Sequence, residues 1–264
     1  MSKNNICIVI QAYNEQINID SCIKSAQLLS RKIVVMDMQS TDKTTSLAKK
    51  SGAEVTSIPR HPYVEPVRKL AFTEVEADWI FILDADERIT PALAQEIQKK
   101  LSNIQHPTSN IPSITHYEMP RQNIFAGKKW LKHGGWWPDY QVRLIQKKAF
   151  QTWPKTIHSP VQVKGIKGTL QNPIKHYFHS NLEAMVKKTI RFEQIEAKLL
   201  YQANRSVGPF TPLRKFCGEL MRRLIIKQGF RDGPYGIIES FYQAYSKSLT
   251  WLFLYEKYYQ SKKL

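Results

Sequence analysis

The sequence predicts an α/β fold in which a mostly parallel sheet is flanked by helices and followed by a helical C-terminal extension. Over the first hundred residues, short apolar runs rich in β-branched residues alternate with amphipathic stretches. This strand–helix–strand repetition is typical of parallel strands joined by right-handed crossovers. After about residue 180 the pattern is helical throughout. We therefore expect two domains, over residues 1–180 and 181–264.

Four strands and three helices are predicted in the first hundred residues. The strands are the apolar runs Ile6–Ile10, Ile33–Asp37, Val55–Ile58 and Trp79–Leu83. The helices between them are the amphipathic stretches Ile19–Leu29, Thr44–Ser51 and Pro66–Val75. In such a sheet the ligand site lies beyond the carboxyl ends of the strands. The polar residues that directly follow the strands are therefore the first candidates for a site.

The remaining chain is predicted to change from mixed structure to helices. A loop over 102–115 precedes an aromatic-rich segment of strands and loops over 117–163. Three helices then follow, over Asn181–Tyr201, from Leu213 to Gly229, and over Ile237–Tyr259. We expect these helices to form the extension.

The net charge of +17 is distributed unevenly along the 264 residues. Residues 1–100 contain 13 of the 39 basic and 13 of the 22 acidic residues, which leaves 26 basic against 9 acidic residues for the rest. A neutral front and a basic back indicate a second task that involves an anionic partner. Nucleic acid, an anionic lipid surface and a phosphorylated acceptor are all open on charge alone.

The cysteine and hydropathy patterns predict a cytoplasmic location. Cys7, Cys22 and Cys217 form no CxxC pair, as expected for reduced thiols. The first apolar run is too short for a signal peptide, and no apolar stretch reaches the roughly 20 residues that span a bilayer.

The strongest local motif is the run from Trp79 to Glu87, in which a buried strand delivers Asp84 and Asp86 to the edge of the sheet. A hard divalent cation prefers oxygen ligands and can join a carboxylate to a diphosphate. The alternative is an acidic loop that caps the helix starting near Pro91. An EF-hand is disfavoured, because Ile89 occupies the position of its glycine.

Three motifs resemble glycosyltransferase family 2, whose fold is GT-A. They are Ala12-Tyr13-Asn14-Glu15, Asp37 with Ser40-Thr41-Asp42, and Asp84-Ala85-Asp86-Glu87. The resemblance implies a GT-A domain over residues 1–180 and a nucleotide pocket lined by Ala12, Tyr13 and Glu15. It also implies that Asp37 holds the base, that Arg68 binds the nucleotide, that Asp84 lies near the ribose or diphosphate, and that Asp86 binds Mg²⁺ or Mn²⁺. Met38-Gln39 departs from the small residues usual in the family.

The segment Gly134–Leu144 predicts an acceptor site. Trp136 and Trp137 offer flat apolar faces to a sugar ring. Asp139 follows a proline and is our candidate for the base that deprotonates the acceptor hydroxyl. The alternative is a core tryptophan pair with Asp139 capping a turn. This segment and the run around Gly229-Phe-Arg-Asp232 resemble lipopolysaccharide inner-core heptose β-glucosyltransferases, in which Arg143 would bind phosphate or hold Asp139.

Histidines and the basic helices complete the expectations. His158, His176 and His179 fall where a late histidine reaches the metal in such enzymes, and of the three we favour His176. The alternative for each is a polar structural role. The helix from Leu213 combines apolar and basic faces, as membrane-interface helices do. Aromatic residues of the last helix would lie at headgroup level: Trp251, Tyr255, Tyr258 and Tyr259. Alternatively, both helices pack on the catalytic domain and leave a solvated basic face.

Rival functions lack their motifs. A nucleotidyltransferase has a glycine-rich loop after the first strand, a dehydrogenase has GxGxxG, and a nucleic-acid binder has a reading element, none of which is present. The sequence therefore predicts inverting hexose transfer from UDP-glucose to a glycolipid or glycan of the cell surface, at the inner face of an anionic membrane and without nucleic acid. Transfer to a polyprenyl phosphate is the alternative.

Overall fold

The computed structural model describes residues 5–61, 64–104, 114–154, 159–178 and 182–261. The chain divides into two compact units. The first unit is Met1–Arg121 with Tyr140–His176, and the second unit is Gln122–Asp139 with Tyr177–Leu264. The predicted domain boundary between residues 180 and 181 lies outside the described residues, which omit 179–181. That boundary therefore stays a prediction.

The first unit begins with the predicted alternation of strands and helices. Its strands are β1 (Ile6–Ala12), β2 (Ile33–Asp37), β3 (Glu54–Ser57), β4 (Trp79–Asp84) and the short β5 (Glu87–Arg88). Its helices are α1 (Ile19–Ala26), α2 (Thr44–Lys50), α3 (Glu65–Glu74) and α4 (Pro91–Ile104). Strands β3, β2, β1 and β4 lie side by side in that order and are all parallel. The predicted fold class is confirmed.

Later strands extend this sheet, and two others form a small sheet of their own. Those of the main sheet are β6 (Ile114–Phe125), β7 (Lys129–Trp130), β8 (Tyr140–Gln146), β11 (Ile166–Thr169), which pairs parallel with β6, and β12 (Ile174–Phe178). Strands β9 (Phe150–Thr152) and β10 (Gln162–Val163) pair with each other in a separate antiparallel sheet, and a 3₁₀ turn lies at Lys147–Ala149. Strand β8 pairs antiparallel with both β4 and β6, and β12 pairs antiparallel with β5. The main sheet runs β3-β2-β1-β4-β8-β6-β12-β5.

The core of the first unit lies on both faces of the sheet. Along β1, Ile8 and Ile10 join one apolar cluster while Cys7 and Val9 join another, as the two-residue period of a strand requires. Helices α1, α2 and α4 cover the first face, and α3 covers the second. Strands buried on both faces read as continuous apolar runs, which is why β1 and β4 were recognisable.

The second unit is mainly helical. Its helices are α5 (Leu182–Gln202), α6 (Thr211–Leu220) and α7 (Pro234–Ser261), and between α6 and α7 lie a π-helical turn (Met221–Ile226) and a 3₁₀ turn (Gly229–Asp232). Helix α7 packs against α5 and α6. A Cβ at Gly236 would lie 2.1 Å from the carbonyl oxygen of Gly229, so the start of α7 requires glycine there.

Polar contacts join α5 to α7. Ser246 and Thr250 of α7 both donate hydrogen bonds to Glu193 of α5, and Thr189 bonds the hydroxyl of Tyr242 at 2.7 Å. None of the helices within the described residues has both the length and the apolar composition needed to cross a membrane.

Candidate active site

Three polar loops meet at one edge of the parallel sheet. Ala12, the last residue of β1, is the register partner of Asp37, the last residue of β2. On the other side of β1, Gln11 is the partner of Asp84, which ends β4. The strand register therefore brings together the three motifs that the sequence analysis singled out.

Hydrogen bonds tie the loop after β1 to the loop after β2. Asn14 has a positive φ of 54° and donates its backbone N–H to Ser40 at 2.9 Å, while its side-chain oxygen accepts the N–H of Thr41 at 2.8 Å. The backbone N–H of Glu15 donates to the hydroxyl of Thr44 at 2.7 Å. Asparagine tolerates the left-handed conformation better than other non-glycine residues. The guanidinium of Arg60 lies 4.2 Å from the ring centre of Tyr13.

Asp37 carries an unsatisfied buried oxygen. Its side chain is buried, and its Oδ2 accepts the backbone N–H of Ser40 at 3.0 Å. Its Oδ1 is buried and has no hydrogen-bond partner among the described residues. A buried acceptor without a donor is costly and is uncommon in folded proteins. The carboxylate is therefore suited to accept an N–H from a ligand, such as that of a pyrimidine base.

Asp84 and Glu87 share a guanidinium. Nη2 of Arg143 lies 2.6 Å from Oδ2 of Asp84 and 2.5 Å from Oε1 of Glu87, and Nη2 of Arg68 lies 2.8 Å from both oxygens of Asp84. Glu87 is 0% exposed, and it also accepts the backbone N–H of Asp84 at 3.1 Å. Arg121 lies 3.7 Å from the same carboxylate. These ion pairs hold the loop that contains Asp84 and Asp86.

The charges of this network fix the protonation of Asp84. Burial by itself would raise the pKa of Asp84, but Arg143 and Arg68 outweigh burial and hold that pKa well below its usual range. Asp84 is therefore an anion at every physiological pH. Its partners are protein cations, and Arg68 stacks at 5.1 Å over the ring of Trp153.

Arg143 has a different environment from the one expected. The sequence analysis assigned it to an acceptor phosphate or to Asp139, whereas the structure buries its guanidinium, 2% exposed, between Asp84 and Glu87. The physical reason is its position on β8, the strand that pairs with β4 and continues its buried face. Direct contact with an acceptor stays a prediction that this burial disfavours.

Asp86 and His176 form the candidate metal centre. Strands β5 and β12 pair so that His176 lies opposite Glu87, and Nε2 of His176 is 3.4 Å from Oδ2 of Asp86. Both side chains are partly exposed, at 14% for His176 and 25% for Asp86. In the described part of the chain no group of three or more His, Cys, Asp or Glu side chains is arranged to hold a metal ion. One carboxylate and one imidazole nevertheless fit a Mn²⁺ or Mg²⁺ ion whose other ligands come from a diphosphate and water.

The predicted acceptor residues lie in the second unit. Trp136 packs against Phe178 with 4.9 Å between ring centres, and Trp137 meets Trp130 edge to face at 5.1 Å. Both tryptophans are half-buried rather than fully enclosed. Each ring therefore keeps part of its surface for a ligand.

Asn123 positions the candidate base. Its side chain is fully buried, and its Nδ2 donates to Oδ2 of Asp139 at 3.0 Å and to the carbonyl of Trp136 at 3.1 Å. One amide thus fixes both the carboxylate and the loop before it. The sequence analysis did not identify Asn123, because a lone asparagine within the strand β6 carries no local signal.

Asp232 holds the other end of this loop. Its buried carboxylate accepts the backbone N–H groups of Lys132 at 2.9 Å and His133 at 2.7 Å, and it lies 3.0 Å from Nδ1 of His133. The N–H of Gly134 donates to the carbonyl of Lys227 at 2.8 Å. The sequence analysis noted both segments separately and did not connect them. His158 and His179, the other histidines considered for the metal, lie outside the described residues.

Comparisons with known proteins agree with the motifs at the sheet edge. The family model described as glycosyl transferase family 2 matches residues 7–166. An uncharacterized glycosyltransferase of Rickettsia bellii is 24% identical over 251 residues, which cover 89% of this chain and 81% of that protein. One of Rickettsia conorii is 23% identical over 265 residues, covering 94% and 89%. The protein RfbJ of Shigella flexneri is 34% identical over 95 residues, or 35% of this chain and 73% of RfbJ.

Among solved structures, glucosyl-3-phosphoglycerate synthase from Mycobacterium tuberculosis, in complex with Mn²⁺, UDP and glucosyl-3-phosphoglycerate, matches with a TM-score of 0.43 and 16% identity. The match covers 75% of this chain and 79% of that one. The family model spans more than half of the sequence and includes all three strand-end motifs. The chain therefore belongs to glycosyl transferase family 2.

Proposed function

We propose that the chain is an inverting, metal-dependent hexosyltransferase that moves glucose from UDP-glucose onto a sugar of a lipopolysaccharide core or a related surface glycan. Within the family this is the heptose β-glucosyltransferase type. The observation that carries the proposal is the unsatisfied Oδ1 of Asp37, at the same sheet edge as the Asp86–His176 pair. An acceptor for a base and ligands for a diphosphate-bound cation are the two requirements of nucleotide-sugar binding.

The donor would bind over the ends of β1, β2 and β4. Asp37 accepts the ring N–H of uracil, which satisfies the orphaned oxygen and selects bases that donate at that position. Ala12 leaves room for the base, and Tyr13 with Glu15 borders the pocket. Arg68 lies beside Asp84, where its positive charge also faces the diphosphate.

Asp86 and His176 would hold the divalent cation. A bound Mn²⁺ or Mg²⁺ ion supplies positive charge that stabilises the departing nucleoside diphosphate. Glu87 and Arg143 keep the backbone of this loop in place through the bonds to Asp84 described above. The Asp86 carboxylate therefore stays aimed at one position while substrates exchange.

Asp139 would act as the base. The acceptor hydroxyl lies against Trp136 and Trp137, and Asp139 takes its proton as the oxygen attacks the anomeric carbon from the face opposite UDP. The new C–O bond forms as the bond to the diphosphate breaks, so one displacement inverts the configuration. The Asn123 amide bonded to Oδ2 fixes the orientation of the carboxylate that accepts the proton.

The location we propose is the inner face of an anionic membrane, where a glycolipid acceptor is reached. Helix α6 and the turns that follow it expose large apolar side chains among basic ones: Phe210 at 80%, Leu213 at 62%, Met221 at 55%, Ile225 at 52% and Ile226 at 69%. Residues 205–231 contain seven Lys or Arg and one Glu. This combination is suited to a headgroup layer. Of the four aromatic residues predicted at headgroup level, Trp251 packs under Lys215 and Tyr258 against Tyr201, while Tyr255 and Tyr259 are exposed. The proposed membrane contact rests on α6 and the turns that follow it, not on helix α7.

Calorimetric titration tests the donor assignment. UDP and UDP-glucose should bind only when Mn²⁺ is present, and GDP-mannose and a DNA duplex should bind weakly or not at all. Asp86→Ala and His176→Ala should each weaken the Mn²⁺-dependent binding of UDP and UDP-glucose. His116→Ala on β6 is the histidine control and should bind both ligands as the wild type does. Binding of DNA alone, weakening steeply with salt, would overturn the proposal in favour of nucleic-acid binding.

A further inference from the structure

Helix α7 carries an apolar stripe that the proposed sugar transfer does not use. Its positions follow one another at intervals of three, four, three, four and three residues: Ile238, Phe241, Tyr245, Ser248, Leu252 and Tyr255. Alternating steps of three and four make the 3.5-residue period of a helix that packs lengthwise against another helix. We call these residues the α7 stripe.

The α7 stripe is exposed in the folded chain. Exposure is 55% for Ile238, 46% for Phe241, 42% for Tyr245, 47% for Leu252 and 37% for Tyr255. The opposite side of the same helix is buried, with Glu239, Thr250 and Leu254 at 0%. Packing against α5 and α6 therefore accounts for one side of α7 and leaves the stripe in solvent. Apolar surface of this extent usually marks an interaction site.

Charge decides which partner suits the stripe. Between Ile238 and Tyr255 the exposed charged residue is Lys247, which lies about 130° round the helix from the centre of the stripe. Exposed apolar residues of α6 and its following turn, by contrast, lie among Arg214, Arg222 and Lys227. An anionic membrane therefore fits α6, and an uncharged partner fits the α7 stripe.

We propose that the α7 stripe is the interface with a second copy of this chain, in which the α7 helices of two protomers pack across a two-fold axis. A surface without charge is complementary to itself, as an isologous contact requires. Tyrosine, phenylalanine and aliphatic residues without charge are the composition of an interface core. The proposal goes beyond the proposed function and does not depend on it.

The available area is sufficient for a specific dimer. The five large side chains of the stripe and the adjacent Ile237, 40% exposed, expose on average somewhat less than half of their surface. With side chains of this class having roughly 200 Å² each, they contribute roughly 500–600 Å² per protomer. Two protomers would bury roughly 1,000–1,200 Å², which reaches the lower range of specific interfaces.

Sedimentation of the full chain tests the proposal. The wild type should sediment at twice the monomer mass of 30.7 kDa, and Leu252→Glu combined with Phe241→Glu should sediment as a folded monomer. The matched control is Ile225→Glu, which places the same charge at an equally exposed position outside the stripe and should remain dimeric. Because the substituted side chains are exposed in the monomer, circular dichroism should show a folded chain for all three.

A cross-link gives a second reading without disrupting the stripe. Cys7 and Cys22 are buried, so a Cys217→Ser background has no exposed native thiol. In that background Ser248→Cys should form a covalent dimer with a short bis-maleimide. Gln202→Cys, at an exposed position at the end of α5, should not. A monomeric wild type, or a dimer that persists in the double glutamate variant, overturns the proposal. Stripe-dependent binding of a monomer to vesicles of phosphatidylcholine and phosphatidylglycerol would overturn it as well. Sugar transfer is assayed separately, so loss of activity does not bear on the dimer.

Discussion

The two units build their functional sites by different means. In the first unit, Asp37 and Asp84 follow directly after buried strands, and the strand register alone brings them to one edge. In the second unit, the loop with Trp136 and Asp139 is held by Asn123 on one side and by Asp232, about a hundred residues later, on the other. A site built on strand ends is visible in a sequence. A site held by contacts distant in sequence becomes visible only in the structure.

The comparison also extends to charge. The first hundred residues are neutral overall, and in the candidate donor site their carboxylates Asp84 and Glu87 are balanced by the guanidinium groups of Arg68 and the later Arg143. The rest of the chain carries the whole net charge of +17. The charges of the candidate donor site are thus fixed and paired, whereas the residues after 100 carry an excess of positive charge that can face an anionic partner. The following predictions test this division, beginning with the largest effect.

Asp139→Asn should lower the turnover number by roughly 10²–10⁴-fold, the usual range for loss of a general base. Donor binding should be unchanged, because the donor residues belong to the first unit. Steady-state kinetics and calorimetric titration of UDP-glucose with Mn²⁺ measure the two effects separately. A variant with near-normal turnover would remove Asp139 as the base. Weakened donor binding would show that the two sites are not independent.

Arg143→Met should lower the free energy of unfolding by about 3–5 kcal/mol, since buried Glu87 loses its partner at 2.5 Å and keeps only the longer ion pair with Arg121, at 3.7 Å, within the described residues. Chemical denaturation monitored by circular dichroism measures this loss. Lys147→Met is the matched control: its partner Glu76 is 87% exposed, so the loss should be below about 1 kcal/mol. Equal effects of both substitutions would contradict a structural role for Arg143.

The same variant should alter acid stability. Because the folded-state pKa of Asp84 is lowered, its ion pairs stabilise the fold fully above the ordinary carboxyl pKa of about 4 and progressively less as the pH falls. Removing Arg143 takes away one cation that lowers this pKa. The midpoint of acid unfolding should therefore move to higher pH in Arg143→Met, and an unshifted midpoint would show that Arg68 alone sets the ionisation of Asp84.

Asp37→Asn should weaken binding of UDP and UDP-glucose by roughly 10- to 100-fold, the equivalent of one charged hydrogen bond of about 1.5–3 kcal/mol. Turnover at saturating donor should change much less. Asp20→Asn, at a partly exposed position of α1, is the control and should bind UDP and UDP-glucose as the wild type does. If Asp37→Asn binds UDP normally, the unsatisfied oxygen of Asp37 has another purpose.

The features that the sequence predicted are those set by local pattern, and the features it missed are those set by contacts between distant residues. Strands β1, β2 and β4 were predicted because parallel strands buried on both faces read as continuous apolar runs. The pairing of His176 with Asp86 was anticipated only through the family resemblance, because it depends on β5 and β12 lying side by side. The position of Arg143 between Asp84 and Glu87 was missed for a physical reason: Arg143 lies in a run of three consecutive buried residues on β8, and no local pattern identifies its partners.

Helix faces were also harder to predict than helix positions. The helix from Leu213 was predicted to combine an apolar face with a basic one, and its apolar residues Leu213 and Ile225 are both more than half exposed. A π-helical turn at Met221–Ile226 changes the residue-per-turn count, so a face drawn with 3.6 residues per turn does not persist past Leu220. Contacts with the neighbouring helix α7 decide which apolar face packs inward, and a local sequence pattern does not reveal such tertiary contacts.

Asp232→Asn gives the smallest expected effect and tests the second unit most directly. Asparagine keeps one carbonyl oxygen for the N–H groups of Lys132 and His133, but it loses the negative charge facing Nδ1 of His133. The free energy of unfolding should fall by about 1–2 kcal/mol. Glu183→Gln, at an exposed ion pair on α5, is the control and should leave stability nearly unchanged. Because Asp232 anchors the loop before Trp136, KM for the acceptor should rise while the affinity for UDP-glucose stays constant. A rise in donor Kd instead would mean that the contacts around Asp232 support the nucleotide site, and the division between the two units would fail.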